Sequence, residues 1–398
     1  MINEIKILFV ETGRPSSMNN FGGSVYSIIQ LIQSLDKIKY KTFYYSKYHM
    51  PKAYKILEDI GVTVLSNKDN SKIKKKTIKN YFPNILKKNI LYEYLSFKRN
   101  RGDILKYSNI INKYNIDIVH GNDRFIANIN VLIASKANSV IYVQHQRKYE
   151  NKIPFYLKKY VNYPTKYLVI SKSIKNNVLE LLKINSTKIL LLHNWINTNH
   201  NRININKKNL ENYDLNILWF GRILPWKGID TIVDLGEILK KNKLTFKFHI
   251  YGDFYNEHYE EKICNKIKLL GFEKLYKFYG NKSQSEIFSK KYDLFLHTSI
   301  KPEPFGRTII ESMYNEIPVI ATNMGGVRDI IIDNYNGFVY NINNYEKIIS
   351  SIKYLMTDNQ KEEIILNAKK TIFQKFSEKS QSQIINKFYN EISDEKKN

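Results

Sequence analysis

The sequence predicts an α/β chain of two doubly wound domains, and three observations predict it. At 398 residues, the chain exceeds the ~250–300 residues at which single hydrophobic cores stop growing. Short apolar runs alternate with helical patterns through both halves, the order that builds a parallel sheet with helices on its faces. Between the halves, residues 194–213 turn Asn-rich and polar, with Asn197-Thr-Asn-His-Asn-Arg-Ile-Asn-Ile-Asn206 at the centre, and read as a linker. The expected division is residues 1–196, residues 197–375 and a closing segment, residues 376–398.

In the first half the expected strands are Ile5–Glu11, Thr42–Ser46, Thr63–Leu65, Ile116–His120, Val140–Gln144, Tyr167–Ile170 and Ile189–His193. Each is a short apolar run between polar residues, as buried parallel strands are. Helical spacing places helices at Ser24–Leu35, Lys52–Ile60, Ala127–Ala137 and Ser173–Leu182, with one or two more in the basic, aromatic stretch 80–114. The second half repeats the alternation. Its strands are expected at Asn216–Phe220, Phe246–Tyr251, Leu275–Tyr279, Leu294–Thr298, Val319–Ala321 and Gly337–Val339. Its helices are expected at Asp230–Lys240, Tyr259–Leu270, Gln284–Lys290, Thr308–Asn315 and Tyr345–Met356. After a break at Phe376-Ser377 comes a lone amphipathic helix, Lys379–Ile392.

Charge is unevenly distributed. The net charge is +26, and residues 1–200 carry +21 of it, with 33 Lys and Arg against 12 Asp and Glu. Such asymmetry points to an anionic partner for the first half. The densest patch runs from Lys68 through Lys72, Lys74, Lys75, Lys76 and Lys79 to Lys87 and Lys88, with Tyr81, Phe82, Tyr92, Tyr94 and Phe97 interleaved. Basic residues beside aromatics suit an anionic membrane surface; a solvated basic face is the plainer alternative. No apolar run approaches the ~20 residues of a membrane helix. The single cysteine, Cys264, has no internal disulfide partner and is expected at a core or boundary position. Together these features predict a cytoplasmic protein, held peripherally on the inner face of the membrane if the patch binds lipid.

The most informative stretch is Leu296-His-Thr-Ser-Ile-Lys-Pro-Glu-Pro-Phe-Gly-Arg-Thr-Ile-Ile-Glu311. It places Glu303 and Glu311 on either side of a Pro-Phe-Gly turn, after an apolar strand and before a helix that begins near Gly306. The first turn of a helix leaves backbone N–H groups unpaired, so a strand, a Gly turn and a helix N-terminus form a site for an anionic ligand.

This stretch resembles the E-x7-E signature of retaining glycosyltransferases with the GT-B fold, in particular glycosyltransferase family 4 (glycosyl transferases group 1). Further matches follow in order. Gly221-Arg-Ile-Leu-Pro-Trp-Lys-Gly228 resembles the family's G-R-x-x-x-x-K-G loop, Thr322-Asn-Met-Gly-Gly-Val-Arg-Asp-Ile330 its later Gly-Gly turn, and Phe21-Gly-Gly-Ser24 its N-terminal Gly-rich loop. The resemblance implies two Rossmann-like domains facing across a cleft. The N-terminal domain would hold the acceptor, the C-terminal domain the nucleotide sugar, and the last helix would cross back to the first domain.

It also implies roles. Arg222 and Lys227 would stabilise charge on the departing diphosphate, in place of a metal; no Asp-x-Asp cluster or zinc pattern is present, and neither metal nor cofactor is expected. Glu303 would accept hydrogen bonds from the donor sugar's hydroxyls and Glu311 from the ribose. Gly22, Gly23, Gly221, Phe305, Gly306, Arg307 and Thr308 would complete the donor site, largely through backbone amides. His120 resembles a position near the transferred sugar, and His145 a position on the acceptor side. Two motifs depart from the family pattern: Asn194-Trp-Ile-Asn197 replaces N-G-V-D, and Gly252-Asp-Phe254 lacks the second Gly of G-x-G. The implied activity is retaining transfer from a nucleoside-diphosphate sugar, with a UDP-sugar as first choice. The acceptor would be a glycan or lipid-linked precursor of lipopolysaccharide, O-antigen or capsule. A sugar-nucleotide epimerase or phosphorylase of the same fold is the alternative within enzymes. A basic nucleic-acid-binding protein is the alternative outside them, disfavoured because no nucleic-acid module is recognisable.

Overall fold

A computed structural model of the chain describes residues 4–13, 22–65, 88–198, 208–211 and 213–394, excluding the side chains of residues 88–99. The basic patch from Lys68 to Lys87 and the centre of the expected linker lie outside the described residues. The chain divides into two compact units, one of Met1–Leu192 with Ser382–Asn398, the other His193–Gln381. Each holds one all-parallel sheet.

In the first unit the strands are β1 (Ile5–Glu11), β2 (Tyr40–Ser46), β3 (Thr63–Leu65), β4 (Ile118–Asn122), β5 (Ile141–Gln146), β6 (Lys166–Val169) and β7 (Ile189–Leu191), in sheet order β3-β2-β1-β4-β5-β6-β7. The helices are α1 (Gly23–Gln33), α2 (Pro51–Asp59), α3 (Lys88–Tyr114), α4 (Ile129–Ala137) and α5 (Lys172–Leu182). Ile7, Leu8, Phe9 and Val10 of β1 are all fully buried, as a central strand covered on both faces must be. The order reverses between β1 and β4, whose carboxyl ends align with Glu11 opposite Asn122. Open α/β sheets bind ligands at such a switch point.

In the second unit the strands are β8 (Leu215–Phe220), β9 (Phe246–Tyr251), β10 (Tyr276–Phe278), β11 (Leu294–His297), β12 (Val319–Thr322) and β13 (Phe338–Tyr340), ordered β10-β9-β8-β11-β12-β13. The helices are α6 (Ile229–Lys241), α7 (Glu257–Leu269), α8 (Gln284–Ile287), α9 (Arg307–Tyr314), α10 (Val327–Ile330), α11 (Tyr345–Leu355) and α12 (Asp358–Lys375). This is the strand order of the dinucleotide-binding folds, and its switch point lies between β8 and β11.

The structure differs from the sequence expectations in two places. The 18-residue α12 was not anticipated; it buries Ile364, Ala368, Thr371 and Ile372 along one stripe, behind a polar first turn that masks the periodicity. Cys264 is exposed rather than a core or boundary residue, because the buried stripe of α7 runs through Tyr259, Ile263 and Ile267. Near the end of the chain the backbone pairs with residues after β7. Ile196 N–H donates to the Phe376 carbonyl (2.9 Å) and Glu378 N–H to the Ile196 carbonyl (3.0 Å), which ties residues 193–198 to the segment around Ser377 within the second unit. The last helix, α13 (Glu378–Asp394), joins the first unit from Ser382 onward. There the Asn386 amide donates to the Ser34 carbonyl at 2.9 Å and Tyr40 Oη donates to Asn390 at 2.6 Å.

Candidate active site

Two loops meet at the switch point of the second unit. After β8 the chain turns through Gly221 and Arg222 into a short 3-10 turn, Pro225–Lys227, and then α6. After β11 it runs through Thr298 and Ser299 to Glu303. Gly228 locks the two together. Its φ is +75°, and a Cβ there would lie 1.9 Å from the Thr298 carbonyl oxygen, so only glycine allows this approach. Thr298 Oγ1 in turn donates to the Lys227 carbonyl (2.8 Å) and accepts from the Trp219 indole (3.1 Å).

The outcome is an ion pair. Lys227 Nζ donates to Glu303 Oε2 at 2.6 Å, with side chains 19% and 15% exposed. Ser299 Oγ donates to the same oxygen at 3.2 Å, and His297 Nε2 lies 3.7 Å from it. Gly326 N–H, from the Gly-Gly turn after β12, donates to the Glu303 carbonyl at 2.7 Å. Burial opposes the charge on Glu303, but the Lys227 ammonium with His297 outweighs it and holds the carboxyl well below the usual carboxylate range. Burial lowers the pKa of His297, and Glu303 only partly offsets it, so the ring is neutral near pH 7. The geometry thus couples two residues the sequence reading treated separately. It adds His297, the last residue of β11, and Ser299, two residues beyond it, both of which that reading missed although they lie in the stretch that carries the motif.

Gly306, at φ +115°, is the N-cap of α9. Arg307 and Thr308 form the first turn, where N–H groups and the helix dipole favour an anion. The Phe305 ring does not face a ligand. It is buried against Phe376 and His193, each 5.8 Å away between ring centroids, so only its backbone is available for binding. Glu311 lies one turn into α9, largely buried, with Arg307 Nη2 3.1 Å from its Oε1. Burial raises its pKa and Arg307 pulls it back. Arg222 is exposed, and its side chain has no ion pair among the described residues.

In the first unit, Gly22 caps α1 and Gly23 begins it, both exposed. His120 and His145 are fully buried rather than lining an open surface. His120 Nδ1 lies 2.6 Å from the Tyr389 hydroxyl of α13, and its Nε2 lies 3.0 Å from His145 Nδ1. Burial, reinforced by Arg147, holds both imidazoles well below the usual histidine pKa. Beside them is a carboxyl the sequence reading passed over. Glu11, 1% exposed, accepts from Gly13 N–H (2.8 Å), from Ser24 Oγ (3.1 Å) and from the Asn122 amide. Burial, with Asp123 nearby, pushes its pKa from 4.5 up to about 7. An acid that directly follows the apolar run Ile7–Val10 was the signal in the sequence. Among the described residues no group of three His, Cys, Asp or Glu side chains is arranged to hold a metal ion.

Known proteins resemble this chain along most of its length. The family described as "Glycosyltransferase Family 4" matches residues 58–200, and "Glycosyl transferases group 1" matches residues 201–371. An uncharacterised glycosyltransferase of Methanocaldococcus jannaschii is 30% identical over 58% of this chain and 60% of its own length. A lipopolysaccharide 1,2-N-acetylglucosaminetransferase of Salmonella typhimurium is 25% identical over 40% of this chain and 44% of its own. The crystal structure of Anabaena HepE in complex with UDP superposes with a TM-score of 0.73, covering 97% of this chain and 100% of that one at 19% identity. The same protein has also been crystallised with UDP-glucose. With two parallel sheets, a Lys–Glu pair at a switch point and these matches, the chain belongs to the GT-B-fold glycosyltransferases of the family 4, group 1 type.

Proposed function

We propose that the protein is a retaining, metal-independent glycosyltransferase that moves a sugar from a nucleoside-diphosphate sugar, with UDP-sugars first, to a glycan or lipid-linked acceptor of bacterial surface polysaccharide. One observation carries the reading: a partly buried Lys227–Glu303 pair at the β8/β11 switch point, next to the helix N-terminus at Gly306. Breaking the sugar–phosphate bond builds negative charge on the departing diphosphate. Lys227, Arg222 and the amides of Arg307 and Thr308 supply fixed positive charge on that side. Glu303, ionised and neutralised by Lys227, accepts hydrogen bonds from donor-sugar hydroxyls. A carboxylate held so far below its usual pKa is a poor acid and a weak base, which favours same-face attack with the leaving phosphate taking the acceptor's proton. Glu311 receives the ribose hydroxyls once Arg307 yields an oxygen. Gly221, Gly22 and Gly23 let backbone approach the diphosphate closely; His120 belongs near the transferred sugar and His145 on the acceptor side.

The pathway rests on the relatives: the Salmonella protein's name makes it a lipopolysaccharide enzyme, and HepE binds UDP and UDP-glucose. Peripheral attachment to an anionic membrane through the Lys72–Lys88 region is part of the proposal, supported by charge alone. A screen of UDP-, GDP- and ADP-sugars tests it: nucleoside diphosphate should be released only when an acceptor is added, and should continue in EDTA. Epimerisation of the donor without acceptor would favour the epimerase reading instead, and loss of activity in EDTA would mean a metal takes part.

A further inference from the structure

At the carboxyl edge of the first sheet a guanidinium stands without a partner. The residue after β4, Asp123, has a φ of +140°, a conformation that L residues rarely adopt. Its own contacts impose it. Asp123 N–H donates to the His145 carbonyl (3.2 Å) and the Asp123 carbonyl accepts from the Gln144 amide (2.8 Å). Oδ1 accepts from Arg124 N–H (2.8 Å) and Oδ2 from Lys148 Nζ (3.0 Å). Strain held this firmly clusters at functional sites, and here it fixes where the chain aims the next side chain, Arg124. That side chain is partly exposed. Its guanidinium makes no hydrogen bond or ion pair among the described residues; its Nε is enclosed and has no partner either. Glu150 is the acid nearby, and its oxygens are engaged elsewhere. Oε2 accepts from Ile126 N–H (3.1 Å) and from the Gln146 amide, and Oε1 accepts from Asn151 N–H. Asp123 is already matched by Lys148. Arg147, buried just after β5, adds positive charge and donates through Nε to the uncharged Asn122 side chain at 2.8 Å. The edge thus holds a positive field beside the β1/β4 switch point, where open sheets bind ligands.

We propose that Arg124 binds an oxyanion group of the acceptor, phosphate or carboxylate, and so selects charged acceptors over neutral ones. The inference rests on the glycosyltransferase reading above and adds the charge class of the acceptor. A planar guanidinium meets either oxyanion with paired N–H donors, a match that a neutral sugar hydroxyl cannot offer. Because Arg124 has no internal ion pair to break, the whole of that interaction is available to the ligand. The charge of +21 carried by residues 1–200 draws an anionic acceptor toward the same unit.

The test has two arms on the full chain, with octyl glucoside, octyl glucuronide and octyl glucosyl phosphate as probes. The first arm compares their binding by calorimetry, without donor. Wild type should bind one of the two anionic probes roughly ten- to hundredfold more tightly than octyl glucoside, the worth of charge-assisted hydrogen bonds. Which anionic probe wins identifies the group as phosphate or carboxylate. Arg124→Gln should remove the preference and leave octyl glucoside where it was, and Arg124→Lys should restore part of it. The second arm is steady-state kinetics with the donor that the sugar-nucleotide screen finds. There Arg124→Gln should raise the KM of the preferred anionic probe by the same factor, with little change in kcat and none in UDP affinity. A wild type that binds neutral and anionic probes alike overturns the proposal, and this is decided without any variant. A folded Arg124→Gln protein overturns it if the preference survives, or if all three probes weaken equally, which would make the residue structural. Loss of UDP affinity in that variant overturns it as well, because the anion would then be the donor's diphosphate. The first arm needs no donor and no turnover, so failure of the glycosyltransferase reading, seen as no diphosphate release with any acceptor, is a separate result.

Discussion

The two units share one plan, a parallel sheet with a switch point beside its first strand, yet they use that point in opposite ways. In the second unit the carboxyl ends of β8 and β11 carry a charged, partly exposed pair, Lys227 and Glu303. In the first unit the ends of β1, β4 and β5 carry polar groups that are fully buried and mostly neutral: Glu11, His120 and His145. A preformed charge is what a departing diphosphate requires. The difference teaches that the same fold can hold a preformed charge pair at one switch point and a buried, largely neutral hydrogen-bonded network at the other.

The largest expected effect falls on the charged side. Lys227→Ala should lower turnover by roughly 10²–10³, about 2.7–4 kcal/mol, as loss of one preorganised electrostatic contact does. Single substitutions at the first unit's edge should cost far less. Steady-state kinetics of both sets would break the comparison if the order came out reversed.

A stability measurement probes the neutral side. Glu11 has its pKa raised from 4.5 to about 7, so the folded state favours the protonated form. Its contribution is full below pH 4.5 and is lost as pH rises through about 7. A shift of this size corresponds to about 3 kcal/mol. Denaturant unfolding between pH 5 and 8 should therefore show stability falling with pH, and Glu11→Gln should flatten the slope. An unchanged slope in that variant would mean Glu11 is not the titrating group.

The basic patch sharpens the comparison at the level of partners. Changing Lys74, Lys75, Lys76 and Lys79 together to Ser removes four charges, worth about 1 kcal/mol each near an anionic membrane. Affinity for anionic vesicles should fall at least ~100-fold, and turnover on an acceptor free in solution should barely move. Equal vesicle binding by variant and wild type would reduce the patch to a solvated face.

The two units also differed in how much the sequence revealed. The second unit's site comes from two compact motifs, Gly221–Gly228 after one strand and Glu303–Glu311 around one turn, each readable as a string even though the fold joins Lys227 to Glu303 across 76 positions. The first unit's site is assembled from afar. Glu11 meets Asn122 across 111 positions and His120 meets Tyr389 across 269, distances no periodicity encodes. Both sheets were legible because parallel strands are buried on both faces and leave bare apolar runs. Helix α12 was not, because its apolar stripe begins only at Ile364, beyond a first turn of polar residues.

The central claim is that the β8/β11 edge of the second unit binds a nucleotide sugar, and calorimetric titration with UDP tests it most directly. Wild type should bind UDP. Glu311→Ala should weaken that binding about tenfold or more, since an acceptor of hydrogen bonds from the ribose hydroxyls is lost. Glu303→Ala should leave UDP binding intact while turnover with the complete donor falls, because Glu303 serves the sugar. Strong UDP binding that is indifferent to Glu311, or binding lost with Glu303 alone, would contradict the account.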